Sequence, residues 1–312
     1  MLMHESATIR ARAAVHRWER LADDLDAPVA ELHGAELARR ALGLETVTAL
    51  LVVSLSRRGS RSFAAVCQWP RLHPLNERTV AVRHHPLIMV ESTRQLAMAL
   101  QHRQLPESGT PPLQAVSIRL GLNAAALPTE RGSVTDVAAR LTVADLAAGH
   151  DGLAACRVTA EFTHGGTPLG WCSMRFARAT PQPPAAEADH RAGLLHPSAG
   201  AVGAAADADV LIARAPQARL VILPRDPGHP ILLAGRPALL PAPAVLEAGR
   251  QAVMLTSGRT AAAVVGLSVE VRTPVPWRGA GVEVTTEPRG ARFVVTVGRQ
   301  VSATGTVALL RP

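Results

Sequence analysis

The chain has 312 residues, of which 47% are hydrophobic and 19% charged, and its formal net charge is +8. This length suits two domains that each bury a core. No uninterrupted apolar stretch approaches the ~20 residues that cross a bilayer, and the charged amino terminus lacks the apolar run of an export signal. The three cysteines form no C-x-x-C pair, so we expect reduced thiols in the cytoplasm and no metal site.

The charge itself says little about a polymeric partner. All 33 basic residues are arginines, and they are scattered apart from the short cluster SRRGSR at 56–61. Aromatic residues make up 3% of the chain, too few for the stacking platforms that bind nucleic acid. We therefore expect no nucleic-acid partner, because a phosphate-bearing substrate or an acidic carrier protein explains the arginine excess equally well.

Residues 1–44 are predicted to form an amino-terminal helical extension, because helix-forming residues dominate and leucine and valine recur at helical spacing. The first domain is predicted over 45–178. It begins with a hairpin and continues into an apolar helix from residue 87 to about residue 102. The hairpin strands are predicted at 46–54 and 62–68, and later strands at 116–122, 134–146, 155–163 and 171–177.

The second domain, over 209–312, repeats this plan after an Ala-, Pro- and Gly-rich stretch at 179–208 that is predicted to be an exposed linker. One helix followed by antiparallel strands in each half argues against a doubly wound α/β fold, which needs alternating helices and strands. It predicts an α+β double hotdog, with two antiparallel sheets each wrapped around a central helix. The helix is predicted at 244–257, and strands at 210–213, 218–223, 262–273, 281–286, 291–297 and 301–310.

Both predicted helices carry the phrase E-x-x-R-Q in apolar surroundings, about half a chain length apart. Charges inside an apolar helix are costly unless they are paired, so a duplicated pair indicates a duplicated polar site. The carboxylate could accept a proton from a hydroxyl, while the free N–H groups of the helix start polarise a thioester carbonyl. The alternative is a buried ion pair that fixes helix to sheet. The equivalent residues are Glu91 and Glu247, Arg94 and Arg250, and Gln95 and Gln251.

Other polar residues gather before each helix. Arg71 and Arg225 follow prolines at matching places and are candidates to bind a phosphate, although each could be a solvated loop residue. His73, His84 and His85 precede Glu91, and any of them could serve as a base or simply be exposed. His229 is interpreted as structural. No G-x-S-x-G follows a predicted strand, which argues against a serine hydrolase.

The motifs W-P-R-x-H at 69–73, H-P-L at 85–87 and E-x-x-R-Q at 91–95, with H-P at 229–230 and L-E-A-x-R-Q at 246–251, resemble the A-factor biosynthesis (AfsA-like) hotdog family. The resemblance covers about residues 45–311. It implies kinship with the β-hydroxyacyl-carrier-protein dehydratases. It also implies an acyltransferase that moves a β-ketoacyl group from the phosphopantetheine thioester of acyl carrier protein to the hydroxyl of dihydroxyacetone phosphate or of a similar small acceptor. The product would be the precursor of a γ-butyrolactone-type signal that controls secondary metabolism.

The resemblance implies no bound cofactor, and it assigns roles to the residues above. The second half departs from the family, because Ala234, Gly235, Ala238 and Leu239 stand where acids and histidines are usual. We therefore expect Glu91 and Arg94 to matter more to turnover than Glu247 and Arg250. A thioesterase, a dehydratase and a non-catalytic acyl-binding protein remain alternatives. The predicted catalytic residues are Glu91, Arg94, Glu247, Arg250 and His85, and the predicted substrate-binding residues are Arg71, His73, Gln95, Arg225 and Gln251.

Overall fold

The structure, a computed structural model, describes residues 42–76, 81–104, 113–149, 152–178, 193–260 and 263–310. All but the last three residues of the predicted extension over 1–44 lie outside the described residues. Those three close the core of the first half, where Leu42 and Leu44 are buried.

Most helices and strands lie within a few residues of the predicted positions. The first strand, predicted at 46–54, instead begins at Val52 after a 3-10 turn at Val47–Ala49, and the short strands Val82–Arg83 and Thr129–Glu130 were not predicted. The first half contains β1 Val52–Arg57, β2 Ser62–Pro70, β3 Val82–Arg83, α1 Leu87–Gln104, β4 Gln114–Leu122, β5 Thr129–Glu130, β6 Val134–Gly149, β7 Gly152–His164 and β8 Thr167–Ala177. The second half contains β9 Ile212–Arg214, β10 Leu220–Ile222, α2 Ala242–Ser257, β11 Val264–Val271, β12 Ala280–Glu287, β13 Gly290–Val297 and β14 Gln300–Leu309.

The strand order confirms that the chain is a duplication. Among the described residues, one antiparallel sheet of 12 strands runs β1-β2-β6-β7-β8-β4-β11-β14-β13-β12-β10-β9. Read from its outer edge inward, each half has the same order of strands, and each has one helix between its second and third strands in this sheet. The fold is therefore the double hotdog that the sequence predicted. The two sheets are not separate, however, because β4 pairs antiparallel with β11 and joins them edge to edge.

Burial explains why α2 is a central helix rather than a surface one. Every residue from Ala242 to Met254 is buried, including a glutamate and an arginine. A helix that is enclosed on all sides is packed within a core instead of resting on it. The helix packs against β11 to β14 of its own half and against β4 of the other half. Of the residues that the structure describes, none forms a helix with the length and apolarity needed to span a membrane.

Part of the predicted linker belongs to the second domain. Residues 193–208 were expected to lie outside the fold, but Leu195 bridges to Arg214, and Val202 and Ala204 are buried in the core. The short 3-10 turn Ala199–Val202 packs against α2. The burial of these apolar side chains holds the stretch against the second half. The rest of the predicted linker, 179–192, lies outside the described residues.

The buried cysteines also serve as core residues. Cys67, Cys156 and Cys172 are free and buried. Burial raises the pKa of Cys67 and of Cys172 to about 12 and that of Cys156 to about 11. Thiols with such pKa values remain protonated and unreactive at neutral pH.

Gly249 lets α2 approach the sheet. A β-carbon at this position would overlap the ring of Phe293 on β13, and a β-carbon at Gly305 on β14 would overlap the same ring. Gly249→Ala should therefore destabilise the protein by about 1–3 kcal/mol through overpacking, although alanine in a helix interior usually stabilises by about 1 kcal/mol. Guanidinium unfolding measures the change. In a Phe293→Leu background the same substitution should cost less, and stabilisation of the wild-type chain by Gly249→Ala would contradict the packing described here.

Candidate functional site at the junction of the two halves

The two E-x-x-R-Q copies form nearly the same cluster. In the first, Arg94 Nε and Nη2 donate to Glu91 Oε2 and Oε1, both at 2.7 Å, and Gln95 Nε2 donates to Glu91 Oε1 at 2.8 Å. In the second, the corresponding hydrogen bonds to the carboxylate of the glutamate measure 2.8, 2.6 and 2.9 Å. The second cluster consists of Glu247, Arg250 and Gln251. Both glutamates are thus held by a forked guanidinium.

The glutamines fasten each helix to the segment before the first strand of its half. Gln95 Nε2 donates to Ala49 O at 2.8 Å, and Gln95 Oε1 accepts from Leu51 N at 2.9 Å. Gln251 makes the matching pair with Asp209 O at 2.7 Å and Leu211 N at 2.8 Å. Both glutamines are fully buried. The structure therefore places these two predicted substrate-binding residues in the core, where their polar atoms are used by the backbone.

The two arginines differ in what remains free. Arg94 Nη1 donates to Leu42 O at 3.2 Å and contacts Met98 Sδ at 2.7 Å, so every nitrogen of its guanidinium has a partner. Arg250 Nη2 donates to Gly203 O at 2.8 Å, but its Nη1 makes no hydrogen bond with the described residues. Among the described residues, Arg250 therefore retains an unused hydrogen-bond donor in Nη1, whereas every guanidinium nitrogen of Arg94 has a partner.

His85 lies against the cluster of the other half. Its Nε2 is 3.9 Å from Glu247 Oε2, although His85 precedes α1 and Glu247 lies in α2. The residue equivalent to His85 in the second half is Pro241, which offers no imidazole to Glu91. The structure thus brings together His85, Glu247 and Arg250, whereas Glu91 and Arg94 stand in a separate cluster.

The ring of His85 is held in one tautomer. Leu87 N–H donates to His85 Nδ1 at 3.2 Å, and the backbone N–H of His85 donates to Asn76 Oδ1 at 2.9 Å. Because Nδ1 accepts a hydrogen bond, the neutral ring carries its proton on Nε2. The protonated nitrogen Nε2 is the ring atom whose distance to Glu247 Oε2 is 3.9 Å.

A cavity of about 240 Å³ opens beside this group, with walls from both halves. Its position follows from the β4–β11 junction, which sets the loop before α1 opposite α2. Arg83, His85 and Arg250 line it, and none of its described lining residues is acidic. The remaining lining residues are Leu75, Asn76, His84, Pro86, Ala124, Leu127, Gly203, Ala205, Met254, Thr260, Ala263 and Val264.

Burial and charge set the protonation states at neutral pH. Burial lowers the pKa of His85 to about 4, although the carboxylate of Glu247 opposes the shift. Burial alone would raise the pKa of Glu247, but the Arg250 guanidinium and the hydrogen bonds outweigh it and hold the pKa below its usual value. A neutral imidazole therefore faces an ionised carboxylate.

The other histidines have internal roles. His84 Nδ1 accepts from Asn76 Nδ2 at 3.0 Å, and its Nε2 donates to Thr135 Oγ1 at 2.8 Å, which donates onward to Glu130. His229 Nε2 donates to Asp209 Oδ1 at 3.0 Å, which supports the structural interpretation of His229. His73 is buried outside the cavity lining, and its Nε2 has no hydrogen-bond partner among the described residues.

The buried histidines should make the fold sensitive to acid. Burial lowers the pKa of His73 to about 3 and that of His84 and His85 to about 4, whereas unfolded histidines titrate near 6.5. The unfolded chain therefore binds protons that the folded chain does not, and stability that is complete above about pH 7 falls as the pH drops.

We expect a loss of up to about 2 kcal/mol per buried histidine between pH 7 and pH 5. Guanidinium unfolding across this range measures the slope. His73→Gln should make the slope shallower, and the exposed His164→Gln should leave it unchanged. A free energy of unfolding that does not vary between pH 7 and pH 5 would contradict the burial of neutral imidazoles.

The predicted phosphate-binding arginines do not meet at the cavity. Arg225 is exposed and pairs with Asp207 at 3.0 Å. Arg71 follows β2, where its backbone N–H donates to Ser133 O. Neither residue lines the cavity. Arg83, which lines the cavity, was not among the residues predicted from the sequence, although the alternation of Arg83, His84 and His85 indicates that the first and third side chains share a face.

The start of α1 is not open to a substrate carbonyl. Leu87 N donates to the His85 ring, Ile88 N donates to His85 O at 2.9 Å, and Met89 N donates to Pro86 O at 3.4 Å. The expectation that free N–H groups at this helix start polarise a thioester is therefore wrong for α1. Within the described part of the chain, no group of three or more His, Cys, Asp or Glu side chains is placed to hold a metal ion.

Comparison with known proteins finds a family model that matches part of the chain. The family model "A-factor biosynthesis hotdog domain" matches residues 30–179. No curated protein matches the sequence.

Solved structures with a similar fold share little sequence with the chain. A Novosphingobium aromaticivorans protein assigned as a thioesterase is 15% identical, with a TM-score of 0.46, and the match covers 83% of this chain and 98% of that one. The dehydratase domain from the terminal module of the rifamycin polyketide synthase is also 15% identical, with a TM-score of 0.46 and coverage of 88% and 99%. The dehydratase-cyclase domain of ambruticin biosynthesis is 14% identical, with a TM-score of 0.44 and coverage of 83% and 95%.

Proposed function

We propose that this protein, which contains a domain of the A-factor biosynthesis hotdog family, is a cytoplasmic acyltransferase that moves a β-ketoacyl group from acyl carrier protein to the hydroxyl of dihydroxyacetone phosphate. The product would be the precursor of a γ-butyrolactone-type signal. The observation that supports the proposal is the meeting of His85 with Glu247 and Arg250 beside a cavity. The chain itself supplies a proton acceptor and hydrogen-bond donors there, and the proposal needs no bound cofactor.

The spacing of His85 and Glu247 suits a hydroxyl. The 3.9 Å between Nε2 and Oε2 is too long for a direct hydrogen bond, but an oxygen atom about 2.8 Å from each fits between them. Such a hydroxyl would donate its proton to Glu247 Oε2 and accept from His85 Nε2–H. Because Glu247 is 3% exposed, the hydroxyl must reach it between His85 and Arg250.

Arg250 Nη1 is the donor left for the thioester carbonyl. Its positive charge would stabilise the oxyanion that forms when the hydroxyl oxygen attacks the carbonyl carbon. The C–S bond then breaks, and the proton held by Glu247 passes to the departing thiolate of the phosphopantetheine arm. The ester and the free carrier thiol are the products, so every proton taken up in the first step is returned in the second.

The product of one assay distinguishes the candidate activities. The protein is incubated with a β-ketoacyl carrier protein and dihydroxyacetone phosphate, and the products are identified by mass spectrometry. We expect the phosphorylated ester and free carrier. Free β-keto acid would instead indicate a thioesterase, in which water replaces the hydroxyl. Turnover of a β-hydroxyacyl carrier to the enoyl form would indicate a dehydratase, and intact thioester with tight acyl binding would indicate a non-catalytic protein.

A further inference from the structure

The mouth of the cavity contains an arginine that the catalytic scheme leaves unused. Arg83 is exposed and lines the cavity, whereas Arg250 lies deeper and its side chain is 4% exposed. No side-chain hydrogen bond or ion pair of Arg83 is found among the described residues. Two guanidinium groups at different depths, with no acidic residue among the described lining residues, favour an anion.

The backbone fixes Arg83 on the same side as His85. Arg83 lies in β3 and pairs with Thr129 of β5, so its position does not depend on the side chain alone. Successive residues of an extended segment point to opposite sides. His84 bonds through Nε2 to Thr135 and contributes to the cavity wall between Arg83 and His85, which both line the cavity.

The second half lacks the corresponding arginine. The residue equivalent to Arg83 is Leu239, which makes the matching β-bridge to Pro276. Leu239 and Pro241 therefore replace the two polar residues, Arg83 and His85, that the first half presents to the cavity. The guanidinium of Arg83 and the imidazole of His85 therefore occur together in one of the two equivalent loops, as expected if they act on one ligand.

We infer that Arg83 binds the phosphate of the acyl acceptor and thereby directs its hydroxyl to His85 and Glu247. The inference rests on the proposed function. A cavity of about 240 Å³ is smaller than the ~300–1,000 Å³ of typical ligand pockets, so it suits a small phosphorylated alcohol. The phosphate of the phosphopantetheine arm has related chemistry, and the experiment separates the two sources.

Kinetics with and without the acceptor phosphate test the assignment. Arg83→Gln should raise KM for dihydroxyacetone phosphate by about 10- to 100-fold, the usual range for losing a hydrogen bond to a charged group, with kcat within a few-fold. The variant should use unphosphorylated dihydroxyacetone as well as the wild-type enzyme does. The matched control is Arg131→Gln, an exposed arginine outside the cavity lining, which should leave both KM values unchanged.

A change of acyl donor identifies the alternative source of phosphate. With an acyl-pantetheine thioester, which has no phosphate, the penalty of Arg83→Gln should persist. Disappearance of the penalty with this donor, or an equal penalty with both acceptors, would overturn the assignment to the acceptor phosphate.

Direct binding separates this inference from the proposed function. Inorganic phosphate should raise the melting temperature of the wild-type protein and of Arg131→Gln, but not that of Arg83→Gln. This result would stand even if no ester formed in the transfer assay. Equal phosphate-dependent shifts in all three proteins, or none in the wild type, would overturn the inference.

Discussion

Glu247→Gln should slow acyl transfer by about 10²–10⁴-fold, the usual cost of losing a positioned general base, whereas Glu91→Gln should leave the rate within a few-fold. The amide is isosteric with the carboxylate but does not accept the hydroxyl proton. This expectation reverses the one drawn from the sequence, because Glu247 lies against His85, which lines the cavity, while the described hydrogen bonds of the Glu91 carboxylate come from Arg94 and Gln95.

The duplication supplies the control for this experiment. Both substitutions disturb a forked Glu–Arg pair that also receives a glutamine hydrogen bond, so their structural costs should be similar. Single-turnover rates of acyl transfer measure the chemical step, and guanidinium unfolding checks that the two variants are equally stable. If Glu91→Gln were slower than Glu247→Gln at matched stability, the catalytic cluster would be the one in the first half.

Arg94→Met should lower the free energy of unfolding by about 3–5 kcal/mol, the cost of leaving one partner of a buried ion pair uncompensated. The carboxylate of Glu91 is buried, and Arg94 provides two of its hydrogen bonds. Removing the acid as well, in Glu91→Gln with Arg94→Met, should recover at least half of the loss. Guanidinium unfolding of the two single variants and the double variant gives the coupling energy.

The same variants separate a structural role from a catalytic one. The fraction of Arg94→Met enzyme that remains folded should transfer acyl groups at nearly the wild-type rate. Arg94 Nη1 is already bonded to Leu42 O and contacts Met98 Sδ, so it has no donor left for a substrate. Loss of turnover with no loss of stability would show that the first cluster acts on substrate.

Much of the fold could be predicted from the sequence. Periodicity and turn residues located the strands of both halves, and the repeated E-x-x-R-Q revealed the duplication. The spatial relation between the two halves could not be predicted, because an overlay of repeats matches equivalent residues and carries no information about neighbours. The pairing of β4 with β11 decides that His85 meets Glu247 rather than Glu91.

Only part of the candidate site could be predicted, because the sequence does not show which residues of the two halves are neighbours. Glu247, Arg250 and His85 were among the candidates, but they were divided between two supposed sites. Gln95 and Gln251 were misjudged as ligand contacts, since a buried amide can equally serve backbone groups, and here both amides do. Arg83 was missed because a single arginine in an extended segment has no motif. Only its alternation with His84 and His85 signals a shared face.

An active site assembled across the two halves requires His85 of the first half and Glu247 of the second to act as one unit, and a kinetic double-mutant cycle tests this most directly. Single-turnover transfer is measured for His85→Ala, Glu247→Gln and the double variant. Residues that act together give grossly non-additive losses, so the double variant should be little slower than the worse single variant. Losses that multiply in the double variant, or coupling of His85→Ala to Glu91→Gln instead, would contradict an active site assembled across the two halves.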